Sequence, residues 1–340
     1  MVLTSNLPGT RIVVKDHSYV GAARRCVREF AESTGISGEP LNKLNVLASE
    51  MATNLAKHAE NGGEIFVYDI SNEKRKAIRL LCLDRGPGIA NIEDALLDGV
   101  SSTSTLGGGL GALRRMSDSF EISSAPGKGT IISCTVFQIP ERKPVHSNEN
   151  ISVGLILAPH PNEKRCGDII SLSLSDQISS LLVVDALGHG DAAADVSELA
   201  ASVFQQSPFE DAQTIVTRIH RELAGSRGAA LALAQIFHYR DKLVFVGVGN
   251  ISARVFMKYQ NRGCASIQGI VGGQISSLKE YEYDWGPNAS LLMYSDGIKS
   301  AAMLSDVPVH SAQILAAEIY RDFSRMNDDT SVLVARDNRS

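Results

Sequence analysis

The stretch Asp84-Arg85-Gly86-Pro87-Gly88-Ile89 follows an apolar run at positions 78–83, and it decides the fold of the first half of the chain. A second glycine-rich stretch, Gly107-Gly108-Gly109-Leu110-Gly111, opens a helical pattern downstream. Glycines allow tight turns, and the N–H groups at a helix start, with the positive end of the helix dipole, favour phosphate. An aspartate at a strand end can accept a hydrogen bond from an adenine amino group. Together the two loops predict a nucleotide-binding site.

A helical pattern upstream supplies further side chains for this site. Glu50, Asn54 and His58 are spaced by four residues and therefore share one helix face. The apolar stripe beside them consists of Leu44, Leu47, Met51 and Leu55. Glu50 can act as a general base, and the neutral oxygen of Asn54 suits a Mg²⁺ ion that bridges phosphates. Taken alone, the same spacing is also typical of a solvated polar helix face.

Apolar periodicity places one α/β unit in residues 10–138 and a strand-rich unit after residue 150. The predicted elements of the first unit are helices 21–33, 41–59 and 110–117 and strands 64–70, 77–84, 119–124 and 129–137. Those of the second are strands 152–158, 169–174, 180–185, 230–238, 242–249, 253–258, 290–294 and 331–335 and helices 192–205, 212–224 and 311–323. A polar stretch with two prolines separates the units. We predict domains at 1–139 and 151–340, joined by a linker at 140–150.

The second half carries aspartates at turn-like points, each beside an apolar run. They are Asp168, Asp185, Asp296 and the pair Asp328-Asp329. Strand ends can bring such carboxylates together although they are distant in sequence. Oxygen-only ligation suits Mg²⁺ or Mn²⁺, and two such ions can activate a water and clamp a phosphoryl group. For each aspartate alone, a turn or cap role is the alternative.

Composition limits the class of protein. The chain has 340 residues, a net charge of −5 and 44% hydrophobic residues, which fits two globular domains and disfavours a nucleic-acid partner. No apolar run approaches the ~20 residues of a membrane-spanning helix, and the N-terminus lacks the pattern of a signal peptide. The five cysteines are scattered, so we expect free thiols, a cytoplasmic location and no membrane partner.

The motifs of the first half resemble the GHKL ATPase superfamily, most closely its small anti-sigma-type serine kinases. The resemblance implies an α/β sandwich with helices on one face of a mixed sheet. It makes Glu50 the catalytic base, Asn54 the Mg²⁺ ligand, Asp84 the reader of adenine, and segment 99–106 the ATP lid. The residues implied to contact MgATP are Asn54, Lys57, His58, Asp84, Gly86, Gly88, Ile89, Gly107, Gly108, Gly109, Leu110, Gly111 and Thr130.

The second half resembles the SpoIIE-like branch of the PPM-type metal-dependent serine/threonine phosphatases. The motifs that carry this resemblance are Asp185-Ala186-Leu187-Gly188-His189-Gly190, Gly247-Val248-Gly249-Asn250 and Ser295-Asp296-Gly297. It implies an αββα sandwich, with Asp185 and Asp296 as catalytic residues. The ligands implied for two Mn²⁺ or Mg²⁺ ions are Asp168, Asp185, the Ala186 carbonyl, Asp296 and Asp328. The choice of Asp328 over Asp329 stays open, and the family usually has glycine where Ala186 stands.

The two resemblances together imply a two-domain α/β (α+β) regulator of bacterial partner switching. Its first domain would be an ATP-dependent serine kinase, and its second a phosphoserine phosphatase for anti-sigma-factor antagonists of the STAS class. The alternative is that the first domain performs no chemistry, binds ATP and a partner protein, and gates the phosphatase. A homodimer is left open.

Overall fold

The computed structural model describes residues 3–6, 9–71, 75–97, 109–139, 150–258, 260–299 and 310–339. The chain divides into two compact units. The first unit is Pro8–Val145, and the second is Met1–Leu7 with His146–Ser340. The predicted first domain, 1–139, begins earlier than the first unit because the N-terminal strand pairs within the second.

The helices and strands follow in chain order. They are β1 (Leu3–Asn6), β2 (Gly9–Val14), a 3-10 helix (His17–Tyr19), α1 (Val20–Ser33), α2 (Gly38–His58), β3 (Gly63–Asp69), β4 (Ala77–Asp84), α3 (Ile92–Leu96), α4 (Gly109–Met116), β5 (Ser119–Ser124), β6 (Thr130–Phe137), β7 (Ile151–Ala158), β8 (Asp168–Leu174), β9 (Ile178–Ala186), α5 (Asp191–Gln206), α6 (Ala212–Glu222), β10 (Ala229–Phe237), β11 (Lys242–Val248), β12 (Ser252–Met257), β13 (Gln260–Gly263), β14 (Tyr281–Asp284), β15 (Ser290–Tyr294), α7 (Ala312–Phe323) and β16 (Thr330–Asp337).

The first unit is a five-stranded sheet with helices packed on one face. The strand order is β2-β3-β4-β6-β5. Alternate residues of the central strands, including Ile65, Val67, Leu80 and Cys134, point into one core with α1, α2 and α4. Every pairing among the described strands of this sheet is antiparallel, whereas a mixed sheet was predicted. Short connections make the hairpins β3–β4 and β5–β6 antiparallel, and the longer connections leave β2–β3 and β4–β6 antiparallel as well.

Helix α2 places the polar face that the sequence predicts for the site. Leu44, Leu47, Met51 and Leu55 are all buried, as the apolar stripe predicts. The helix begins at Gly38 rather than at residue 41, because Pro40 sits in the first turn, where no helical N–H is needed. The helix ends at His58, one residue before the predicted end. Burial of the stripe therefore fixes which face of α2 turns outward from the core.

The second unit is two packed sheets between layers of helix. One sheet has the order β1-β8-β9-β10-β11-β14 and the other β13-β12-β15-β16-β7. Helices α5 and α6 cover the first sheet, α7 covers the second, and β8 contacts β7 and β16 across the interface between the sheets. This is the predicted αββα sandwich. The elements missing from the prediction are β1, β2, β13, β14, α3 and the 3-10 helix.

Among the described residues, no helix is both long enough and apolar enough to cross a membrane.

Candidate functional sites

The loop after β4 in the first unit begins with Asp84, whose carboxylate is turned back onto its own loop. Asp84 Oδ1 accepts a hydrogen bond of 2.7 Å from the N–H of Gly86. A Cβ on Gly86 would lie 3.2 Å from the His58 carbonyl oxygen, so glycine allows the loop to lie against the end of α2. The half-buried carboxylate is thereby fixed beside the helix that carries the predicted base.

The rest of this loop is held by one hydroxyl. Ser124 Oγ accepts a hydrogen bond of 2.8 Å from the N–H of Ile89 and donates one of 2.8 Å to the Gly129 carbonyl. Its hydroxyl also lies 2.9 Å from Thr130 Oγ1. Gly88 and Gly129 have φ values of 72° and 76°, which favour glycine. The structure therefore brings Ile89, Gly88 and Thr130 together, and Ser124 is a site residue that the sequence analysis missed.

A second cluster forms where α4 begins. A Cβ on Gly109 would lie 3.4 Å from Asn54 Oδ1 and 3.9 Å from Glu50 Oε2. Glu50 and Asn54 are half-buried on α2. The start of a helix thus lies directly against a carboxylate and an amide oxygen. This arrangement can place phosphates, a divalent cation and a general base side by side.

The other predicted nucleotide contacts have different environments. Lys57 and His58 are exposed in the last turn of α2, while Leu110 packs against the core and Gly111 is buried in α4. The predicted positions that lie outside the described residues are Gly107, Gly108 and the lid segment 99–106.

Arg85, in the glycine loop, takes part in an ion pair that the sequence analysis missed. Glu64 is 3% exposed, and its Oε2 lies 3.5 Å from Arg85 Nη1. Its Oε1 lies 2.5 Å from Arg11 Nη2. A buried carboxylate between two guanidinium groups ties the loop to the sheet. The sequence does contain one indication of this ion pair: Glu64 is a charged residue in β3, next to a run of apolar residues.

In the second unit, two of the predicted metal ligands face each other across neighbouring strands. Asp168, the first residue of β8, lies opposite Asp185 on β9 in the antiparallel register. Asp168 is 2% exposed, and neither of its carboxylate oxygens has a hydrogen-bond partner among the described residues. Burying a carboxylate without such partners is costly unless a cation accompanies it.

The pKa values of Asp168 and Asp185 are both raised, which indicates the same site. Burial and the neighbouring Asp185 raise the pKa of Asp168 well above its ordinary value, and the nearby hydroxyls of Ser295 and Ser331 offset this only in part. Burial, followed by the charges of Asp296, Asp328 and Asp329, raises the pKa of Asp185 to about 7. All five carboxyls therefore lie within one electrostatic neighbourhood, at the end of the sheets where β8 begins and β9 ends.

Asp296 follows β15 and is held by groups from two loops. Asn250 Nδ2 donates a 2.9 Å hydrogen bond to Asp296 Oδ2, and Arg325 Nε donates one of 2.7 Å to its carbonyl. Partial burial and the charge of Asp328 raise the pKa of Asp296. Asn250 and Arg325 were absent from the predicted site, although Asn250 ends one of the recognised motifs.

Asp328 and Asp329, which precede β16, make different contacts. Asp329 is buried, and its Oδ1 accepts a 2.8 Å hydrogen bond from the N–H of His160. Its Oδ2 has no hydrogen-bond partner among the described residues. Asp328 Oδ1 accepts from the N–H of Asp329 at 3.0 Å. Asp328 raises the pKa of both Asp185 and Asp296, which places its charge near both.

The segment before β8, residues 159–167, links the motifs to one another. Glu163 Oε1 lies 2.8 Å from His189 Nδ1, and the His160 and His189 rings stack at 4.5 Å. The Gly167 carbonyl accepts hydrogen bonds from the N–H of Ala186 and from the Ser197 hydroxyl. His189 is therefore held by its loop, and no sequence pattern predicts its partner Glu163.

Ala186 lies where the resembled phosphatase family usually has glycine. Its φ is not positive, so its methyl group causes no backbone strain. Gly188 and Gly190, with φ values of 86° and 76°, make the turn into α5 instead. The departure from the family pattern therefore leaves the backbone of this motif intact.

The acidic side chains fit divalent cations in chemistry. Buried oxygens of Asp168 and Asp329 have no hydrogen-bond partner among the described residues, and burial together with neighbouring carboxylates raises the pKa of Asp185. A divalent cation would satisfy these oxygens and relieve the repulsion. As the described side chains stand, no three acidic, histidine or cysteine residues converge tightly enough to form a metal cluster. The donor set is therefore suitable, and its side chains would have to draw together around an ion.

Two different classes of known protein match the chain, one a kinase and the other a phosphatase. Residues 13–136 match the family described as the histidine kinase-like ATPase domain. The chain is 32% identical over 111 residues to serine/threonine-protein kinase RsbT of Bacillus subtilis (strain 168), an alignment that covers 33% of this chain and 83% of RsbT. It is 22% identical over 158 residues to phosphoserine phosphatase RsbX of the same organism, covering 45% of this chain and 78% of RsbX.

Solved structures also resemble the chain, and two of them are as follows. One, from work on the bacterial stressosome as a modular system adapted to control secondary messenger signalling, has a TM-score of 0.52 and 28% identity. It covers 55% of this chain and 100% of the other. A crystal structure of RsbX in complex with magnesium has a TM-score of 0.51 and 18% identity, over 57% and 98% of the two chains. At 18% identity, the similarity to this RsbX structure shows a shared fold only.

Proposed function

Since this chain belongs to the family of the serine kinase RsbT, built on a histidine kinase-like ATPase domain, we propose that its first unit binds MgATP and phosphorylates a serine of a partner protein. The observation that carries this proposal is the position of Gly109, the first residue of α4, where a Cβ would lie 3.4 Å from Asn54 Oδ1 and 3.9 Å from Glu50 Oε2. In this scheme Asp84 accepts from the adenine amino group. Glu50 takes the proton of the attacking serine hydroxyl, and ADP is the leaving group.

The second unit is proposed to hydrolyse phosphoserine in a protein. Support comes from the acidic cluster, from its orphaned buried oxygens and from the fold shared with RsbX. Asp168, Asp185, Asp296 and Asp328 would hold two Mg²⁺ or Mn²⁺ ions, with the Ala186 carbonyl as a further contact. Bound there, the ions would supply an activated water and neutralise phosphoryl charge. A structure of RsbX with magnesium makes Mg²⁺ the first ion to test.

Asp328 is the preferred fourth ligand over Asp329. Each aspartate accepts one backbone N–H through its Oδ1. Asp328 carries charge toward both Asp185 and Asp296, whereas Asp329 carries charge toward Asp168 and Asp185, so Asp328 is the one that can join Asp296 to the other ligands. Asp328→Asn should therefore weaken Mn²⁺ binding more than Asp329→Asn does. Calorimetric titration of both variants with Mn²⁺ decides between the two positions.

The proposed partner is a STAS-class antagonist of an anti-sigma factor, which the kinase would phosphorylate and the phosphatase would restore. Support comes from the similarity to RsbT and to the stressosome chain. The test is to incubate the full-length protein with STAS proteins encoded near it, first with MgATP and then with Mn²⁺ after ATP removal. Phosphoserine that appears in the first step and disappears in the second supports the proposal. A partner that is never modified counts against it.

A second candidate keeps the phosphatase and makes the first unit a gate without chemistry. The observation that favours it is topological: β1 precedes the first unit, β7 follows it, and both belong to the second unit. Nucleotide in the first unit would then act only if it favours one of two states. A phosphatase rate that changes with a non-hydrolysable ATP analogue, together with no phosphotransfer by wild-type protein, would select this candidate.

A further inference from the structure

The N-terminal strand β1 lies at the edge of a sheet in the second unit, far in sequence from its neighbour. It pairs antiparallel with β8, with Leu3 opposite Leu174 and Asn6 opposite Ser171. The next strand in sequence, β2, belongs to the first unit and begins three residues after β1 ends. The first unit is therefore an insertion between two strands of the second, and β8 has strand neighbours on both sides.

Strand β8 positions the most deeply buried carboxylate of the acidic cluster. Asp168 begins this strand, and no hydrogen bond to a described residue holds its side chain. The backbone of β8 therefore decides where that carboxylate lies. The middle of β8 is anchored from one face by α5, where Gln205 Nε2 donates to Ser171 Oγ at 2.6 Å and contacts the Leu172 carbonyl at 3.3 Å.

Residues 171–174, which Gln205 anchors in part, are also the residues that β1 pairs with. Without β1, the outer side of β8 would be an open edge whose N–H and C=O groups accept any extended chain. Four residue pairs make a short ladder, which is weak enough to open and specific enough to set a register.

We propose that the outer edge of β8 is a strand-binding site whose occupant is β1, and that this occupancy holds Asp168 in place. The role given to Asp168 rests on the proposed phosphatase function, whereas the strand site itself does not. Because β1 runs antiparallel to β8, it leads toward the end of β8 that carries Asp168. The chain leaving the site there continues into β2.

The test uses two full-length variants, Thr4→Pro and Ser5→Pro. In an antiparallel pair, successive residues direct their N–H groups alternately toward and away from the partner. Proline removes the donor, so one variant breaks a ladder bond and the other serves as its matched control. Hydrogen–deuterium exchange of residues 170–174 and calorimetric Mn²⁺ binding are measured on both.

We expect one variant to lose protection of residues 170–174 and to bind Mn²⁺ about five- to tenfold more weakly, the scale of one lost hydrogen bond. The other variant should stay near wild type. Wild-type exchange and Mn²⁺ affinity in both variants would overturn the proposal.

A second experiment distinguishes loss of the β1–β8 pairing from general misfolding of the proline variants. The full-length proline variant that loses protection is mixed with a synthetic peptide of residues 1–8, or with the same peptide carrying proline at both positions. Saturable recovery of protection in β8 with the first peptide alone supports the strand site, and no recovery overturns it. If protection responds while wild-type protein hydrolyses no phosphoserine, the phosphatase proposal fails and the strand site stands.

Discussion

Asp168 on β8 lies directly opposite Asp185 on β9, and the two carboxyls come from strands that are adjacent in the same sheet. Burial and the charge of Asp185 raise the pKa of Asp168 well above its ordinary value. Like charges this close oppose ionisation of both groups, and a divalent cation relieves the repulsion. The most buried part of the proposed site is therefore a place where stability and cation binding are linked.

Replacing Asp185 with asparagine should raise the stability of the second unit when chelator is present. The pKa of Asp185 is about 7 in the folded chain and about 4 when unfolded. The folded state thus retains a proton that the unfolded state releases, and wild-type stability falls as pH rises from about 4 to 7. An asparagine side chain does not ionise, so the variant avoids this loss of stability.

Added Mn²⁺ should stabilise the wild type more than the variant and so reduce the difference between them. At about 100 times the dissociation constant, a cation stabilises the wild type by about 2.7 kcal/mol, and the variant should gain much less. Trp285, the only tryptophan in the sequence, lies buried in the second unit and reports its unfolding by fluorescence. A variant that is less stable than wild type in chelator, or that gains equally from Mn²⁺, contradicts the account.

The second unit should also lose stability on acidification because of His238. Its Nε2 lies 2.9 Å from Ser179 Oγ, and the ring is buried. Burial first, and then the Arg339 guanidinium, lower the pKa of His238 below its ordinary value, while Asp337 and Asp176 offset this in part. His238 is therefore protonated at a higher pH in the unfolded chain than in the folded chain. Stability should fall as pH drops below about 6.5, toward the folded pKa.

His238→Gln isolates this effect, since glutamine can still contact the Ser179 hydroxyl but does not titrate. Denaturant unfolding followed by Trp285 fluorescence is measured for both proteins from pH 7.5 to pH 5. The contribution of Asp185 is common to both and cancels in their difference. The stability of wild type relative to the variant should decline over this range. A difference that is constant with pH would show that His238 carries no linkage.

Alanine at Gly88 should destabilise the first unit much more than alanine at Gly127. Both glycines have positive φ, 72° and 76°. A Cβ on Gly88 would overlap the Ala125 carbonyl oxygen, whereas a Cβ on Gly127 meets nothing within 4 Å. Gly127→Ala should cost about 1 kcal/mol from backbone strain alone, and Gly88→Ala at least twice that.

Circular dichroism measures this change, because the first unit contains no tryptophan. The Trp285 transition of the second unit serves as the internal control and should stay unchanged in both variants. Equal losses at the two glycines would contradict the packing described for this loop.

Asp84→Asn should weaken ATP binding roughly tenfold or more while preserving the loop. The asparagine Oδ1 can still accept from the Gly86 N–H, which Asp84 binds at 2.7 Å. Its amide nitrogen, however, is a donor facing the adenine amino donor, and a hydrogen bond involving a charged group is worth about 1.5–3 kcal/mol.

Glu50→Ala is the matched variant for chemistry at the same site. It should keep ATP affinity close to wild type and lose phosphotransfer, since the proposed base takes a proton only in the reaction. Calorimetry with MgATP and a phosphotransfer assay separate the two variants. Unchanged affinity in Asp84→Asn, or retained phosphotransfer in Glu50→Ala, would remove the assigned role.

The sequence predicts most elements because their burial is periodic. The apolar stripe of α2 predicts its buried face. Asp168, Asp185, Asp296 and Asp328 all lie at strand ends, and their charges act on one another in the structure, while their role as metal ligands stays a prediction. Both features depend on local spacing and on runs of apolar residues, which a single sequence displays directly.

What the sequence could not provide depends on contacts between distant segments. Strand β1 is four residues long, without alternating polarity, and its pairing partner begins at position 168. Pairing direction leaves no periodic trace, so the antiparallel sheet of the first unit was predicted as mixed. The ion pair between Glu64 and Arg85 likewise joins residues that are 21 positions apart.

The central claim, a cation-dependent phosphoserine phosphatase built around the facing pair Asp168 and Asp185, is tested most directly by one assay. Release of phosphate from a phosphoserine peptide is measured for full-length wild type, Asp168→Asn and Asp185→Asn, each with Mn²⁺, with Mg²⁺ and with chelator. We predict hydrolysis by wild type only with a divalent cation, and a loss of roughly a hundredfold or more in each variant, because removing one ligand disrupts the shared ion cluster. Wild-type hydrolysis that persists in chelator, or full activity in either variant, would contradict the account.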